Sequence, residues 1–269
     1  MIKNHLLTEP LWEYKHLGEA IPQSPHAVSV ALPRWEDVIA YEEKIPDCIE
    51  ALQSIYPRFG FNPLVKIIAD KAVQLHSDDI TKSGWPFPNI NTARKARAYC
   101  ERINSKAESY ILEVAGLPCL IVDSKTTHIA KAFWQHTGLG ASSRQAAIAL
   151  NKEKIPSQNV GDEARKAIRN RLAGIYCCDS ELIQLHPSGM AALTTALDAL
   201  MTFRPPNTAM QIGFPYVDVL KLPQVIFEGS ELLLNPSPKE LAKELDKRNP
   251  SVLIIELPSN PMLQCVDLP

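Results

Sequence analysis

Several signatures are missing from this chain. It has no run of about 18 apolar residues, so no membrane-spanning helix is expected. Met1-Ile2-Lys3-Asn4-His5 lacks the continuous apolar stretch and small-residue cleavage site of a secretory signal, and a cytoplasmic location is expected. The six cysteines include no Cys-x-x-Cys pair, and adjacent Cys177-Cys178 suits neither a shared metal nor an easy disulfide. They read as reduced thiols that pack like small apolar residues. The seven histidines show no metal-ligand spacing, so no metal is proposed. An excess of one charge is missing too: 28 basic residues face 30 acidic ones, and no basic stripe interleaves with aromatics. Nucleic acid is therefore not expected as a partner.

What is present is a chain of 269 residues, 45% hydrophobic, long enough to bury a large core. Nine of its 22 prolines fall in the first ninety positions, which implies extended, non-helical arms there. Residues 1 to about 62 are expected to be mostly irregular, with one short helix over 47–55 capped by Asp47. Pro63 suits the first turn of a helix carrying Leu64, Val65, Ile68, Ala72 and Leu75. Residues 83–88 read as a break. Helices are then expected over 93–105 and 128–136, and strands around Tyr110–Val114 and Leu120–Val122. Ser143 is expected to cap a further short helix.

From Asp162 to Cys177 the spacing of Ala164, Ile168, Leu172 and Ile175 predicts a helix. A strand-helix alternation follows, the signature of a parallel sheet. Strands are expected at 182–185, 210–212, 225–227 and 252–255, the last a continuous apolar run of the type buried on both faces. A helix is expected over 189–203. Ser237-Pro238-Lys239-Glu240 is a capping box with proline at the first helical position, opening a helix that ends before Pro250.

Three strand or helix ends in this last third carry chemistry-bearing residues. Ser188-Gly189-Met190 opens a helix whose exposed amides and macrodipole favour a phosphate, although any capped helix with an early glycine reads the same way. Tyr216, in Gly213-Phe214-Pro215-Tyr216, either stacks on a planar ring or simply packs in a turn. Glu256-Leu257-Pro258-Ser259-Asn260-Pro261 places Glu256 and Asn260 at the carboxyl end of a strand, with two prolines shaping the corner. Gly138-Leu139-Gly140 with Ser142, Ser143 and Arg144 reads as a turn plus cap in preference to a phosphate site. Arg165, Lys166, Arg169 and Arg171 read as a solvated helix face.

Ser188-Gly189-Met190-Ala191-Ala192, Phe214 to Lys221, and Glu256 to Pro261 with Val266-Asp267 resemble the pyridoxal-phosphate enzymes of cysteine and methionine metabolism, in particular the fungal-type cystathionine γ-synthase branch. Ser24 to Pro33, Tyr56-Pro57-Arg58-Phe59 and Lys131 to Gly138 are similar to the same branch. The resemblance implies an α/β fold, the cofactor-binding part of a fold-type-I large domain. The organisation expected is an N-terminal arm with helices over 1–90, an inserted small α/β unit over 91–160, and a partial large domain over 161–269. It further implies pyridoxal phosphate as cofactor. Ser188, Gly189 and Met190 would meet the phosphate, Tyr216 would stack on the pyridine ring, and Asn260 would lie near the phenolic oxygen. Tyr56 and Arg58 would reach a neighbouring subunit's phosphate in a homo-oligomer, a dimer or tetramer, the guanidinium suiting that forked contact. Phe61, inserted in Gly60-Phe61-Asn62-Pro63, departs from the family's direct Gly-Asn-Pro.

The activity implied is transsulfuration in methionine biosynthesis, a γ-replacement on an activated homoserine by cysteine, or a related carbon–sulfur lyase reaction. In the family the pyridine-pairing aspartate, the Schiff-base lysine and the substrate-carboxylate arginine come later than Pro269. No catalytic residue is therefore assigned, and the chain reads as C-terminally truncated. Lys221, in a helical context with no cause for a lowered pKa, is not taken as a substitute. A catalytically silent fragment, or an interaction module on the same fold, is the alternative. Treated with pyridoxal phosphate and borohydride, the chain is expected to trap no single-site lysine adduct while keeping weak phosphate-dependent binding; a stoichiometric adduct on one lysine overturns that reading.

Overall fold

Alternation along two short central strands organises this protein. The structure, a computed structural model, describes residues 9–56, 59–76, 81–203, 208–227, 229–260 and 262–265. It is mixed α/β and divides into two compact units. One joins residues 1–130 to 140–155, and the other joins 131–139 to 156–269.

The first unit begins with a two-residue hairpin, β1 (Ala20–Ile21) and β2 (Ser29–Val30), followed by α1 (Trp35–Glu42), α2 (Pro46–Ala51) and α3 (Pro63–His76). Next come β3 (Ser83–Pro86), α4 (Ile90–Ile103), β4 (Ser109–Val114), β5 (Leu117–Val122), α5 (Thr127–Thr137), whose residues from 131 onward count with the second unit, and α6 (Ser143–Ala149). The sheet order is β3-β5-β4, all antiparallel. Every residue of central β5 is buried. Leu117, Cys119 and Ile121 pack with Leu64, Val65, Ile68 and Ala72 of α3 and Ala146 and Ala147 of α6. The two-residue period sends Leu120 and Val122 to the opposite face, where α4 lies close on buried Ala93, Ala96 and Cys100. Ala115 and Gly116, at φ 51° and 84°, turn β4 into β5 with the twist such hairpins require.

Several expectations need correction here. Residues 83–86 form a strand, not a break. Their register against 119–122 is supplied by β5, and Pro86 sits at the strand's last position, where a missing N–H is tolerated. The arm contains α1, whose buried Asp37 carboxylate accepts from the Arg34 backbone N–H and guanidinium in a capping box. The helix expected over 47–55 is Pro46–Ala51, entered from Ile45 with proline at the first position in place of an Asp47 cap. Ser142, not Ser143, caps α6, its Oγ accepting from Gln145 N at 3.2 Å.

The second unit contains α7 (Gln158–Tyr176), α8 (Gly189–Phe203), β6 (Ala209–Ile212), α9 (Val217–Ile226), β7 (Ser230–Leu233), α10 (Pro238–Arg248) and β8 (Val252–Ile255). The strands run parallel in the order β7-β6-β8. Ala209 and Ile254 face Leu197 of α8 and Leu222 of α9, with Phe227 beside them. Met210 and Ile212 face Leu241 of α10. Helices thus cover both faces of the sheet, as parallel strands demand. Buried Gln211 donates from Nε2 to Leu220 O and Ser230 Oγ.

Residues 182–185 are not a strand: a 3-10 turn spans Ser180–Leu182, and no parallel partner is assigned there among the described residues. Residues 225–227 close α9 instead of forming a strand, because Leu222 and Val225 are buried together on one helix face and Pro223 is accommodated inside the helix. The β7 strand was not expected at all. β8 is a flanking strand: Val252 and Ile254 pack on the face of α8 and α9, and Leu253 and Ile255 on the face of α10, with Ile254 alone buried and the others half-buried. The apolar positions of α7 include no buried residue. No helix of the described residues is long and apolar enough to cross a membrane.

All six cysteines are free. Burial pushes the thiols of Cys100 and Cys119 up to about 12, and that of Cys48 upward too. Thiolate, the attacking species, is thereby suppressed at these sites. At neutral pH a disulfide reagent is expected to label exposed Cys177, Cys178 and Cys265 quickly and the other three only after denaturation; fast labelling of Cys119 in the native chain contradicts the packing of β5.

Candidate functional site

The carboxyl-terminal end of α5 links the starts of two other helices in the second unit. The helix stops at Gly138, whose φ of 64° is the left-handed conformation usual after a helix end. Thr137 turns its hydroxyl back to Phe133 O at 2.7 Å, and its own carbonyl accepts from the buried hydroxyl of Thr194 on α8 at 2.9 Å. A Cβ built on Gly138 would lie 2.8 Å from Met190 Cβ and 3.0 Å from Ser188 Oγ. Only glycine lets this turn lie so close to the first turn of α8.

One residue earlier, buried His136 bonds through Nδ1 to Asp218 Oδ1 at 2.8 Å. Asp218 lies in the first turn of α9, two residues after Tyr216 at the helix's N-cap. The Tyr216 N–H in turn donates to Glu256 Oε2 at 2.7 Å, joining the loop after β6 to the end of β8. Leu257-Pro258 is a cis bond, and buried Ser259 accepts from Gln264 N, closing the turn on which Asn260 is exposed. The starts of α8 and α9 are thus linked through His136, Thr137 and Gly138, and Tyr216 and Glu256 through their own hydrogen bond. Asn260 follows four residues after Glu256.

At the start of α8, Ser188 Oγ accepts from Ala191 N at 3.1 Å. The Gly189 and Met190 N–H groups are first-turn donors with no intrahelical acceptor. A Cβ on Gly189 would meet nothing within 4 Å, so open space lies where its side chain would stand. Met190 is anchored in the core with Leu197 and Leu222. The donor set suits a phosphate: two first-turn amides on a helix dipole and an adjacent hydroxyl.

Half-buried Tyr216 stands beside the carboxyl ends of two adjacent parallel strands, the usual ligand position of open α/β sheets. Tyr56, in the first unit, is exposed and packs on Phe59. Arg58, Val266 and Asp267 lie outside the described residues. Gly138-Leu139-Gly140 forms the turn just described, followed by the Ser142 cap. His136, Thr137 and Asp218 were not singled out from sequence, although Lys131 to Gly138 carried part of the resemblance.

Comparison with known proteins extends this picture. The chain is 29% identical over 268 residues to an L-2-amino-4-chloropent-4-enoate dechlorinase/desaturase of Streptantibioticus cattleyicolor, covering 93% of this chain and 52% of that one. It is 24% identical over 383 residues to the cystathionine γ-synthase of Neurospora crassa, covering 94% and 62% respectively. A cystathionine γ-synthase-like enzyme, IboG2, of Amanita muscaria is 24% identical over 352 residues, covering 90% and 55%. The chain is a homologue of the cystathionine γ-synthase-like enzymes. Those homologues depend on pyridoxal phosphate. The chain spans about half the length of the curated relatives it matches, 52% and 55% in two of these cases. No family model and no solved structure matches it.

Replacing His136 with alanine leaves the buried Asp218 carboxylate without its imidazole and is expected to cost about 3 kcal/mol. Urea unfolding followed by tryptophan fluorescence measures the loss; an unchanged midpoint means the contact does not organise this end of the sheet.

Proposed function

We propose that this chain supplies the phosphate-binding part of a pyridoxal-phosphate enzyme acting in transsulfuration, with γ-replacement on an activated homoserine by cysteine as its reaction. The observation that carries this reading is the set of short contacts linking the starts of α8 and α9 through the end of α5, and Tyr216 to Glu256. The bound cofactor supplies an electron sink for charge developing at the substrate's Cα. Gly189 and Met190 offer their N–H groups to phosphate oxygens, and Ser188 adds its hydroxyl. Tyr216 offers a ring face to the pyridine, held by its own N–H on Glu256 and by Asp218 behind it. Asn260, exposed on the turn after Glu256, would serve the phenolic oxygen. Tyr56 and Arg58 serve a neighbouring copy in a cytoplasmic homo-oligomer.

A second reading, elimination from a γ-substituted amino acid without replacement, is favoured by the Streptantibioticus relative, which is a dechlorinase/desaturase by name.

Gly189→Asp tests the phosphate site selectively. The position has open space, and an acidic residue in the first turn stabilises a helix by roughly 0.3–1 kcal/mol, so the fold is kept while a like charge is placed against the phosphate. In fluorescence titrations the parent chain is expected to bind pyridoxal phosphate more tightly than unphosphorylated pyridoxal, and the variant to lose at least about tenfold for the phosphate ester alone. Equal affinities in the two chains overturn the assignment.

A further inference from the structure

A second polar cluster lies wholly in the first unit, apart from the residues discussed so far. His26 bonds through Nδ1 to Ser143 Oγ at 3.0 Å and through Nε2 to Glu153 Oε1 at 2.6 Å. Its side chain is only 10% exposed. His26 stands 117 and 127 positions from Ser143 and Glu153 in sequence, so tertiary folding alone brings it to them.

Each member is held by its surroundings. The backbone on either side of His26 is pinned, because Asn62 Nδ2 donates to Pro25 O and Ser54 Oγ donates to Ala27 O. The His26 N–H itself donates to Ser24 Oγ. Ser143 is the first residue of α6, and the neighbouring Ser142 and Gln145 satisfy the capping box without it. The Ser143 hydroxyl is therefore not used as the cap. Glu153 follows a turn closed by Asn151, at φ 55°, and by Lys152 N on Ala147 O at 2.8 Å.

The proton assignment follows from the partners. A carboxylate can only accept, so Nε2 of the neutral imidazole carries the hydrogen and donates it to Glu153. Nδ1 is then bare and accepts the Ser143 O–H. This is the order of groups that activates a serine: hydroxyl, imidazole, carboxylate.

We propose that Ser143, His26 and Glu153 form an acyl-transfer triad, a second activity separate from pyridoxal-phosphate chemistry. Ser143 Oγ attacks the carbonyl carbon of an ester as its proton passes to His26 Nδ1. The carbon–oxygen bond to the leaving alcohol then breaks, and the alkoxide takes that proton. Water, deprotonated by the same nitrogen, attacks the acyl-serine and releases the carboxylic acid, returning the proton to Ser143. Glu153 steadies the imidazolium and touches no reacting atom, so its part is positioning. Glu153 also lines an open pocket of about 520 Å³ with Ile148, Ile155, Lys152 and Lys154; Ser143 and His26 are not in its wall, so it flanks the reacting atoms and does not enclose them. The substrate class proposed is a short ester, with an acyl chain ending in a carboxylate favoured by the cationic Lys152 and Lys154 on either side of Glu153.

The test incubates the full chain with a fluorophosphonate probe, maps the adduct by peptide mass spectrometry, and measures hydrolysis of 4-nitrophenyl acetate and of mono-4-nitrophenyl succinate. The adduct is expected on Ser143, with the succinate ester hydrolysed faster than the acetate. His26→Gln is expected to lower labelling and hydrolysis by about 10²-fold, and Ser143→Ala to abolish the adduct. Glu153→Gln changes an exposed side chain, keeps the fold, and is expected to lower the rate at least about tenfold with the adduct still on Ser143. The proposal is overturned if the folded chain takes no adduct, if the adduct is elsewhere, or if both His26→Gln and Glu153→Gln label at the parent rate. Each of those results leaves the cluster a hydrogen-bonded staple between the arm and α6. Pyridoxal phosphate binding is expected to be unaffected by any of these variants.

Discussion

The second unit depends on how one helix ends. Thr137 presents a carbonyl that α5 itself cannot satisfy, and Thr194 supplies the donor from α8. With glycine next, the chain turns close against Ser188 and Met190, and with histidine just before, it ties α9 down through Asp218. A buried carboxylate needs such a partner, since an unpaired charge in that position is costly. The starts of α8 and α9 are consequently fixed by the same three residues.

Those starts matter because of where β6 lies. As the middle strand of a parallel sheet it is buried throughout, and its alternation assigns Ala209 to α8 and α9 and Met210 and Ile212 to α10. Its carboxyl end opens beside that of β8, where Glu256 captures the Tyr216 N–H. Helix amides, an aromatic turn and a carboxylate-bearing strand end are brought to one connected region by packing, which agrees with homology to pyridoxal-phosphate enzymes. In the first unit the same economy of local order pins His26: asparagine and serine side chains hold the backbone around it, leaving the imidazole to bridge Ser143 and Glu153.

Sequence reading succeeded wherever the signal was complete within one or two turns. The helix over 189–203, the box of Ser237 and Glu240, and Pro63 at the head of α3 were legible because caps and proline constrain their own neighbours. It failed where a distant partner decides. Residues 83–86 resemble a break in composition, yet β5 offers them backbone partners and they become a strand. Residues 225–227 are β-branched and aromatic, but burial with Leu222 keeps the first two in a helix. The strand at 230–233 carries a serine and a glutamate and no clear alternation, and it exists through its register with β6.

The chain by itself determined the α/β class, the helix start at Ser188-Gly189, the tyrosine turn, the Asn-Pro corner and the kinship with cystathionine γ-synthase-like enzymes. These are properties of short motifs and of their order. Only the tertiary structure decided that His136 meets Asp218, that Thr194 meets Thr137, and that His26 stands between Ser143 and Glu153. Each such contact joins residues more than fifty positions apart, and nothing in local spacing encodes which donor a buried acceptor will find.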